Sequence, residues 1–364
     1  MPRAPIARAV YLKHFINEVI KAKVQVYDYL HWAKLPSILE RDDFFALAAA
    51  MRFFAVVAQH EAVKEFGFRA AQRLQSGDLS PKVLRALDGC PSLYEGLMSF
   101  SRLASWECSN LRVSVTWHGS DLRIKSTLEG GAALTRVEYL QWLQNMIIIC
   151  IVRQFAGPNW YPATIAFEAR VMPGSEAQSF FPGVRFLTGE STCWIDVPCE
   201  YLNLTLHHPI DDISDEAENS ENLETGFAPD FLATMEILLR PYINDGYPKL
   251  EMLSEVVGLS VRTMQRYLEK NETTYSELVQ HVRHGMAKKF LLDRQRTITE
   301  IAHAVGYSDH SHFTRAFRRI AGISPHAYRT RLVQNFDRNG MHSCSDFSSA
   351  KAARRNVDRL AQIG

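Results

Sequence analysis

The sequence predicts an α+β domain over residues 1–208 and an all-α domain over residues 230–336, the second built from two helix-turn-helix motifs joined by a linker helix. Three observations predict this. Leu253-Ser254-Glu255-Val256-Val257-Gly258-Leu259-Ser260 returns in kind, 48 residues later, as Ile301-Ala302-His303-Ala304-Val305-Gly306-Tyr307-Ser308. Leu111 to Trp117 alternates strictly and meets Leu122-Arg123-Ile124-Lys125 across a polar turn, the pattern of a β-hairpin with one buried face. Residues 211–226 carry seven acidic side chains and no basic one. Such a stretch buries no core and predicts an acidic, flexible linker over residues 209–229.

Composition sets the frame for these elements. At 364 residues, 46% hydrophobic and 22% charged, the chain is an ordinary globular one with room for two or three domains. Its net charge of +1 conceals an asymmetry, because 14 Lys and Arg face 8 Asp and Glu between Lys249 and Arg331. A basic module beside an otherwise neutral chain points to a polyanion as partner. The six cysteines, at 90, 108, 150, 193, 199 and 344, form no CxxC pair, which suits buried thiols in a reducing cytosol. Met1 to Ile6 lacks the start of a signal peptide, and the strongest apolar run, Met146 to Val152, is far short of a membrane span. A cytoplasmic protein with no membrane association is expected.

The first hundred residues read as mainly helical. Phe44 to Gln59 is nearly apolar on every side and predicts a buried helix, while Gly77-Asp78 and Ser80-Pro81 break the next segment. The hairpin turns at His118-Gly119-Ser120-Asp121. A further apolar helix runs from Val137 to Phe155, and short strands come after it near Thr164–Ala169, Val184–Leu187, Cys193–Val197 and Tyr201–Leu206. Helices with hairpin strands make the α+β class. Phe231 to Ile243 returns to helical spacing, and beyond the second domain residues 337–364 read as a basic, mobile tail.

Within each repeat the first helix presents an apolar stripe and a small residue, Ser254 or Ala302, and Gly258 or Gly306 takes a tight turn. Ser260 and Ser308 are placed to cap the second helix. In the first copy, Val261 to Lys270, the residues Met264, Tyr267 and Leu268 face inward, leaving Arg262, Thr263, Gln265 and Arg266 as candidate contacts. In the second, Asp309 to Ala321, Phe313, Phe317 and Ile320 face inward. The outward set is then His310, Ser311, His312, Arg315, Arg318 and Arg319. Arg pairs bidentately with guanine and Gln with adenine in the major groove, so these faces suit double-stranded DNA. One such helix alone reads better as a solvated face; duplication at a fixed spacing shifts the balance to recognition.

The linker helix, Tyr275 to Asp293, opens on the capping box Thr274/Glu277 and repeats Leu278, Val282, Met286 and Phe290. Its length of about 28 Å approaches the roughly 34 Å of one DNA turn, so two reading helices fit successive major grooves. Thr297 with Glu300 forms another capping box, and Gly322-Ile323-Ser324-Pro325 ends the last reading helix and opens a further one.

Residues 250–331 resemble the DNA-binding domain of the AraC/XylS family of bacterial transcription regulators. The resemblance rests on Arg283 and Ala287 in the linker helix, then Ile301-Ala302, Gly306-Tyr307-Ser308, Ser311, Phe313, Arg315, Phe317-Arg318-Arg319, Gly322, Ser324-Pro325 and Tyr328-Arg329. The first half departs more, with Ser254 in place of the usual Ala and Gly285 inside the linker helix. The N-terminal part is similar to the regulatory domain of the larger members, the ornithine-utilisation and virulence-regulator type. That similarity is carried by Leu93-Tyr94-Glu95-Gly96-Leu97, Trp160 with Pro162, and Phe180-Phe181 leading to Val184 and Phe186. The resemblance implies a DNA operator, a small-molecule effector, RNA polymerase and a second copy of the chain as partners, with activation of transcription as the outcome.

Candidate effector contacts are Trp117, His118, Trp142, Trp160, Phe167 and Glu168, aromatic and polar groups mixed near predicted strands. For each one alone, burial in an ordinary core is the commoner fate. No catalytic set emerges. Gly189-Glu190-Ser191-Thr192-Cys193 lacks the final glycine of a nucleophile elbow, and neither Cys90-Pro91 nor Cys199-Glu200 provides the Pro-Cys-His-Arg setting of the alkyl-transfer enzymes that share this reader domain. His207-His208, His310 with His312, and His281 with His284 lack the further ligands a metal needs. The expectation is a regulator with no enzymatic activity, metal or cofactor. The alternative is a ligand-independent architectural protein whose N-terminal domain serves dimerisation only.

Overall fold

The computed structural model describes residues 4–60, 65–130, 136–206, 226–243 and 248–331. Most of the predicted linker and the whole of the predicted tail lie outside these residues. The chain divides into two compact units between Arg283 and His284.

The first unit opens with β1 (Ile6–Arg8), which pairs antiparallel with β2 (Phe44–Ala46). The helix expected from Phe44 therefore starts later, as α3 (Leu47–Val57). Strand pairing takes the first three residues, and the Leu47 N–H donates to the Pro5 carbonyl at 2.8 Å. Around it lie α1 (Ala9–Lys21), α2 (Val26–Trp32) and α4 (Phe66–Ala71). Phe15, Phe54 and Phe66 meet at their centre, Phe15 lying 4.5 Å from Phe54 and 5.1 Å from Phe66 between ring centroids. Ser80-Pro81, read as a break, is the start of α5 (Pro81–Asp88): the Ser80 hydroxyl accepts from the Val83 N–H at 3.3 Å, and proline is suited to the first helical position. α6 (Leu93–Leu103) comes next.

The hairpin forms as β3 (Leu111–His118) and β4 (Asp121–Leu128), turning on Gly119 at φ +63°. With β5 (Thr164–Phe167), β6 (Arg185–Thr188) and β7 (Cys193–Pro198) it builds a five-stranded sheet in the order β3-β4-β7-β5-β6, antiparallel except for the β5–β6 pair. α7 (Val137–Ala156) packs on this sheet and is buried along most of its length. A short α8 (Ser175–Phe180) joins β5 to β6. The strand expected at Tyr201–Leu206 is not formed. Those residues turn after Pro198 instead, and the carbonyls of Leu202 and Leu204 accept from the N–H groups of Tyr94 and Leu93, which open α6 and have no partner within the helix. Among the described residues no helix is long and apolar enough to cross a membrane.

The first helix-turn-helix belongs to this same unit. α9 (Phe231–Ile243) packs on β2, and α10 (Leu250–Val257) packs on α3. Of the predicted linker, residues 226–229 are described and are held in place. The Phe227 N–H donates to the Ser105 hydroxyl at 2.7 Å, and its ring lies 5.3 Å from Phe44 and 4.8 Å from Trp106. Tyr242 donates its hydroxyl to the Lys34 carbonyl at 2.7 Å, and the Lys34 ammonium is 3.9 Å from Glu255 on α10. Gly258, at the turn after α10, faces Ala48 of α3, and a Cβ added there would be in ordinary van der Waals contact, 3.9 Å from the Ala48 Cβ. α11 (Val261–Lys270) completes the motif, and α12 (Tyr275–Leu292) continues the chain, its cap made as predicted by Thr274 and Glu277.

α12 runs unbroken through Gly285, whose missing side chain faces open space. Its buried apolar residues are Leu278, Val279, Val282, Ala287 and Leu291, while Met286 and Phe290 of the predicted stripe are only partly buried. A strict spacing of four drifts about 40° per step around a helix of 3.6 residues per turn, so the apolar face slips by one residue along the way. In the second unit, α13 (Ile298–Ala304) and α14 (His310–Ala321) close a core of Ala287, Leu291, Ile301, Ala302, Val305, Phe313 and Phe317.

Candidate nucleic-acid interface

α11 separates its faces as the spacing requires. Ser260 caps it by accepting from the Thr263 N–H at 3.1 Å. Met264 and Leu268 are buried, and Tyr267 packs on Phe231 with ring centroids 4.9 Å apart. Arg262, Gln265 and Arg266 are exposed on the opposite face. Thr263 is half-buried, with its hydroxyl 2.8 Å from that of Ser260, so it supports the helix start.

α14 has the same plan with two corrections. Its cap is Asp309 and not Ser308: one carboxylate oxygen accepts from the N–H groups of Ser311 and His312, both at 2.8 Å. Ser308 lies one residue too early for that geometry. The His312 N–H, followed by the Ser311 N–H and the charges of His312 and Arg315, holds the Asp309 carboxyl below the usual carboxylate range. Phe313 and Phe317 are buried, but Ile320 is 43% exposed. The buried face runs from Phe313 through Phe317, whose ring meets Tyr328 at 5.5 Å, to Ala321 in steps of four residues, which leaves Ile320 to the side of it. His310, Ser311, His312, Arg315, Arg318 and Arg319 are all exposed.

Both reading faces thus combine a rigid, capped helix with an outward row of Arg, Gln, Ser and His. Exposed guanidinium groups on a helix face can pair with guanine edges or with phosphates. The capping aspartate was missed from the sequence. The signal was there, since Asp is as good a cap as Ser and stands directly before the helix.

The six candidate effector contacts do not converge. Trp142 and Phe167 pack edge to face at 4.7 Å in the core between α7 and the sheet, and Glu168, the next residue, has its carboxyl pushed up by burial. Trp160 packs on Tyr201 at 6.1 Å. Trp117 and His118 lie at the tip of the hairpin on opposite faces of the sheet, both exposed. None of the six lines the cavity of about 40 Å³ enclosed by α1, α7 and the hairpin, whose wall includes Tyr11, Phe15, Phe54, Glu107, Leu143 and Gln144. Glu107 at that wall is fully buried; it accepts from the Tyr11 hydroxyl at 2.6 Å and the Ser80 N–H at 2.8 Å, with Arg8 at 3.5 Å. Among the described residues, no group of three or more His, Cys, Asp or Glu is placed to hold a metal. Burial pushes the thiols of Cys108, Cys150 and Cys193 up to about 12, where they are poor nucleophiles.

With this geometry in view, comparison with known proteins decides the family. Residues 253–331 match the helix-turn-helix domain family, and residues 27–206 match the arabinose-binding domain of AraC transcription regulators. The chain is an AraC-type transcription regulator. This AraC-type chain is 32% identical over 141 residues to the ornithine utilization regulator of Pseudomonas aeruginosa, a match covering 37% of the chain and 41% of that regulator. It is 23% identical over 300 residues to the transcriptional regulator VirS of Mycobacterium tuberculosis, covering 80% of the chain and 86% of VirS. It is also 26% identical over 98 residues to the transcriptional activator NphR of a Rhodococcus species, covering 27% of the chain and 29% of NphR. The family supplies the α+β N-terminal domain and the helical reader, and its members are transcription regulators.

Proposed function

We propose that this AraC-type regulator reads one bipartite operator through α11 and α14 and activates transcription by contacting RNA polymerase, under the control of a small molecule sensed by its N-terminal domain. The observation that carries the reading is the pair of capped helices with exposed Arg266 and Arg315 on their outward faces. Arg262, Gln265, Arg318 and Arg319 extend the contacts, and His310, Ser311 and His312 meet the edge of the groove. Activation is supported by activators among its relatives, and effector control by the arabinose-binding-type domain. The protein works in the cytoplasm as a homodimer and catalyses no reaction; its domains are a sensor over residues 1–208, a linker over 209–229, a reader over 230–336 and a tail over 337–364.

Signal transfer needs no force carried along the linker. The docking of α10 on α3 and of Tyr242 on Lys34 joins the sensor to the first reading motif directly, and an effector that favours one arrangement of this contact shifts the reader by its differential affinity. Selection of binding sites from a random DNA pool by the full-length chain tests the reading. The pool is expected to converge on a sequence of about 20 base pairs with two conserved blocks. A pool that stays random after repeated rounds contradicts sequence-specific recognition.

A further inference from the structure

β3 is the end strand of the five-stranded sheet, and it is an unprotected one. It pairs with β4 without a bulge from Leu111↔Leu128 to His118↔Asp121. The pair closing a two-residue turn exchanges hydrogen bonds, so alternate residues back from His118 face β4. Val113, Val115 and Trp117 therefore direct their N–H and C=O groups away from the sheet. Among the described residues no hydrogen bond reaches those groups. Their side chains share the face of Leu122 and Ile124, yet Val113 and Val115 are only half-buried and Trp117 is 60% exposed.

Free edges in native sheets are blunted by proline, a bulge or charges along the strand. β3 has none of these in its middle. Its polar ends are already engaged, Arg112 with Glu129 at 2.8 Å and His118 with Arg123 at 3.1 Å. A strand of this kind accepts another extended strand, and its pattern indicates which one.

We propose that β3 is a homodimer interface, in which the β3 strands of two copies pair antiparallel about a twofold axis at Val115 and join the two sheets. This rests on and deepens the homodimer reading, and a dimer built elsewhere on the chain would defeat it while leaving that reading intact. Antiparallel pairing about Val115 sets Val113 against Trp117 of the copy on one face and Ser114 against Thr116 on the other. Apolar meets apolar and hydroxyl meets hydroxyl, the combinations that stabilise cross-strand pairs. An unrelated peptide could add its backbone to the edge, but only a second copy brings this match at each position.

The outward direction of the Val115 N–H supplies the test. Val115→Pro removes a hydrogen bond only across the interface, because proline is tolerated on an edge strand where its nitrogen faces away from the sheet. Sedimentation velocity over a concentration series is expected to show the full-length chain as a dimer and Val115→Pro with self-association weakened roughly tenfold or more. Trp117→Lys, at an exposed position, is expected to weaken it as well and covers the case in which proline disturbs the fold. Val115→Cys is expected to give an interchain disulfide on mild oxidation, since identical residues at the axis lie within the roughly 4.4–6.8 Å Cα separation a disulfide spans. A chain that sediments as a monomer throughout, or as a dimer unaffected by either Val115→Pro or Trp117→Lys, overturns the proposal.

Discussion

Replacing Arg266 or Arg315 with Ala is expected to cost about 1 to 3 kcal/mol of operator affinity each, roughly 5- to 150-fold, and to relax specificity at one base pair. Each arginine stands in the middle of the exposed face of a capped helix, Arg266 on α11 and Arg315 on α14. A bidentate contact with guanine is lost whole when the guanidinium is removed, whereas a phosphate contact contributes equally on any sequence. The measurement is competitive binding to operator and random DNA at one fixed salt concentration, because electrostatic affinity changes steeply with salt. Equal losses on both DNAs would make these arginines phosphate clamps and refute their assignment as base readers. The two substitutions are expected to relax different positions, since they sit on different reading helices.

The second large effect is expected where the sensor holds the first reading motif. Ala48 of α3 faces the turn at Gly258, and both residues are small enough for the two helices to approach. Ala48→Glu places a long acidic side chain into that approach, in the neighbourhood of Glu255, which already pairs with Lys34. The face of α11 proposed to read DNA is exposed while α10 is docked, so docking leaves that face accessible and holds the motif through α10. Undocking is therefore expected to weaken operator binding by roughly 5- to 150-fold, the range of a coupling of about 1 to 3 kcal/mol, with the loss concentrated in the block read by α11. Tighter binding by Ala48→Glu would mean that docking restrains the reader.

The reader was legible in the sequence because its determinants are local. Gly258 and Gly306 at positive φ, Ser260 as a cap, and the Thr274/Glu277 and Thr297/Glu300 capping boxes each act within a few residues, and each is found where its spacing places it. The exceptions have local causes too. Asp309 captured the cap expected of Ser308, and Ile320 lies beside the face that Phe317 and Ala321 turn to the core.

The sensor was legible in its period-two and apolar stretches: the hairpin, α7 and the short strands that form as β5, β6 and β7. Its other features depend on partners far away in the chain. β2 exists because β1 pairs with it, and residues 201–204 turn because they cap α6. The buried Glu107 is matched by Arg8 and Tyr11 from the opposite end of the domain. No window around any of these residues contains its partner. The docking of α10 on α3 was hidden for a further reason: where Gly258 faces Ala48, both residues are small and carry no chemical signature of contact.

Recognition of a bipartite operator requires both reading helices to engage DNA together, and hydroxyl-radical footprinting of the full-length protein on its selected operator tests this most directly. Two protected tracts about one helical turn apart, on one face and within about 20 base pairs, are the predicted result. A single protected tract of about 5 base pairs would show that only one helix reads, and would contradict it.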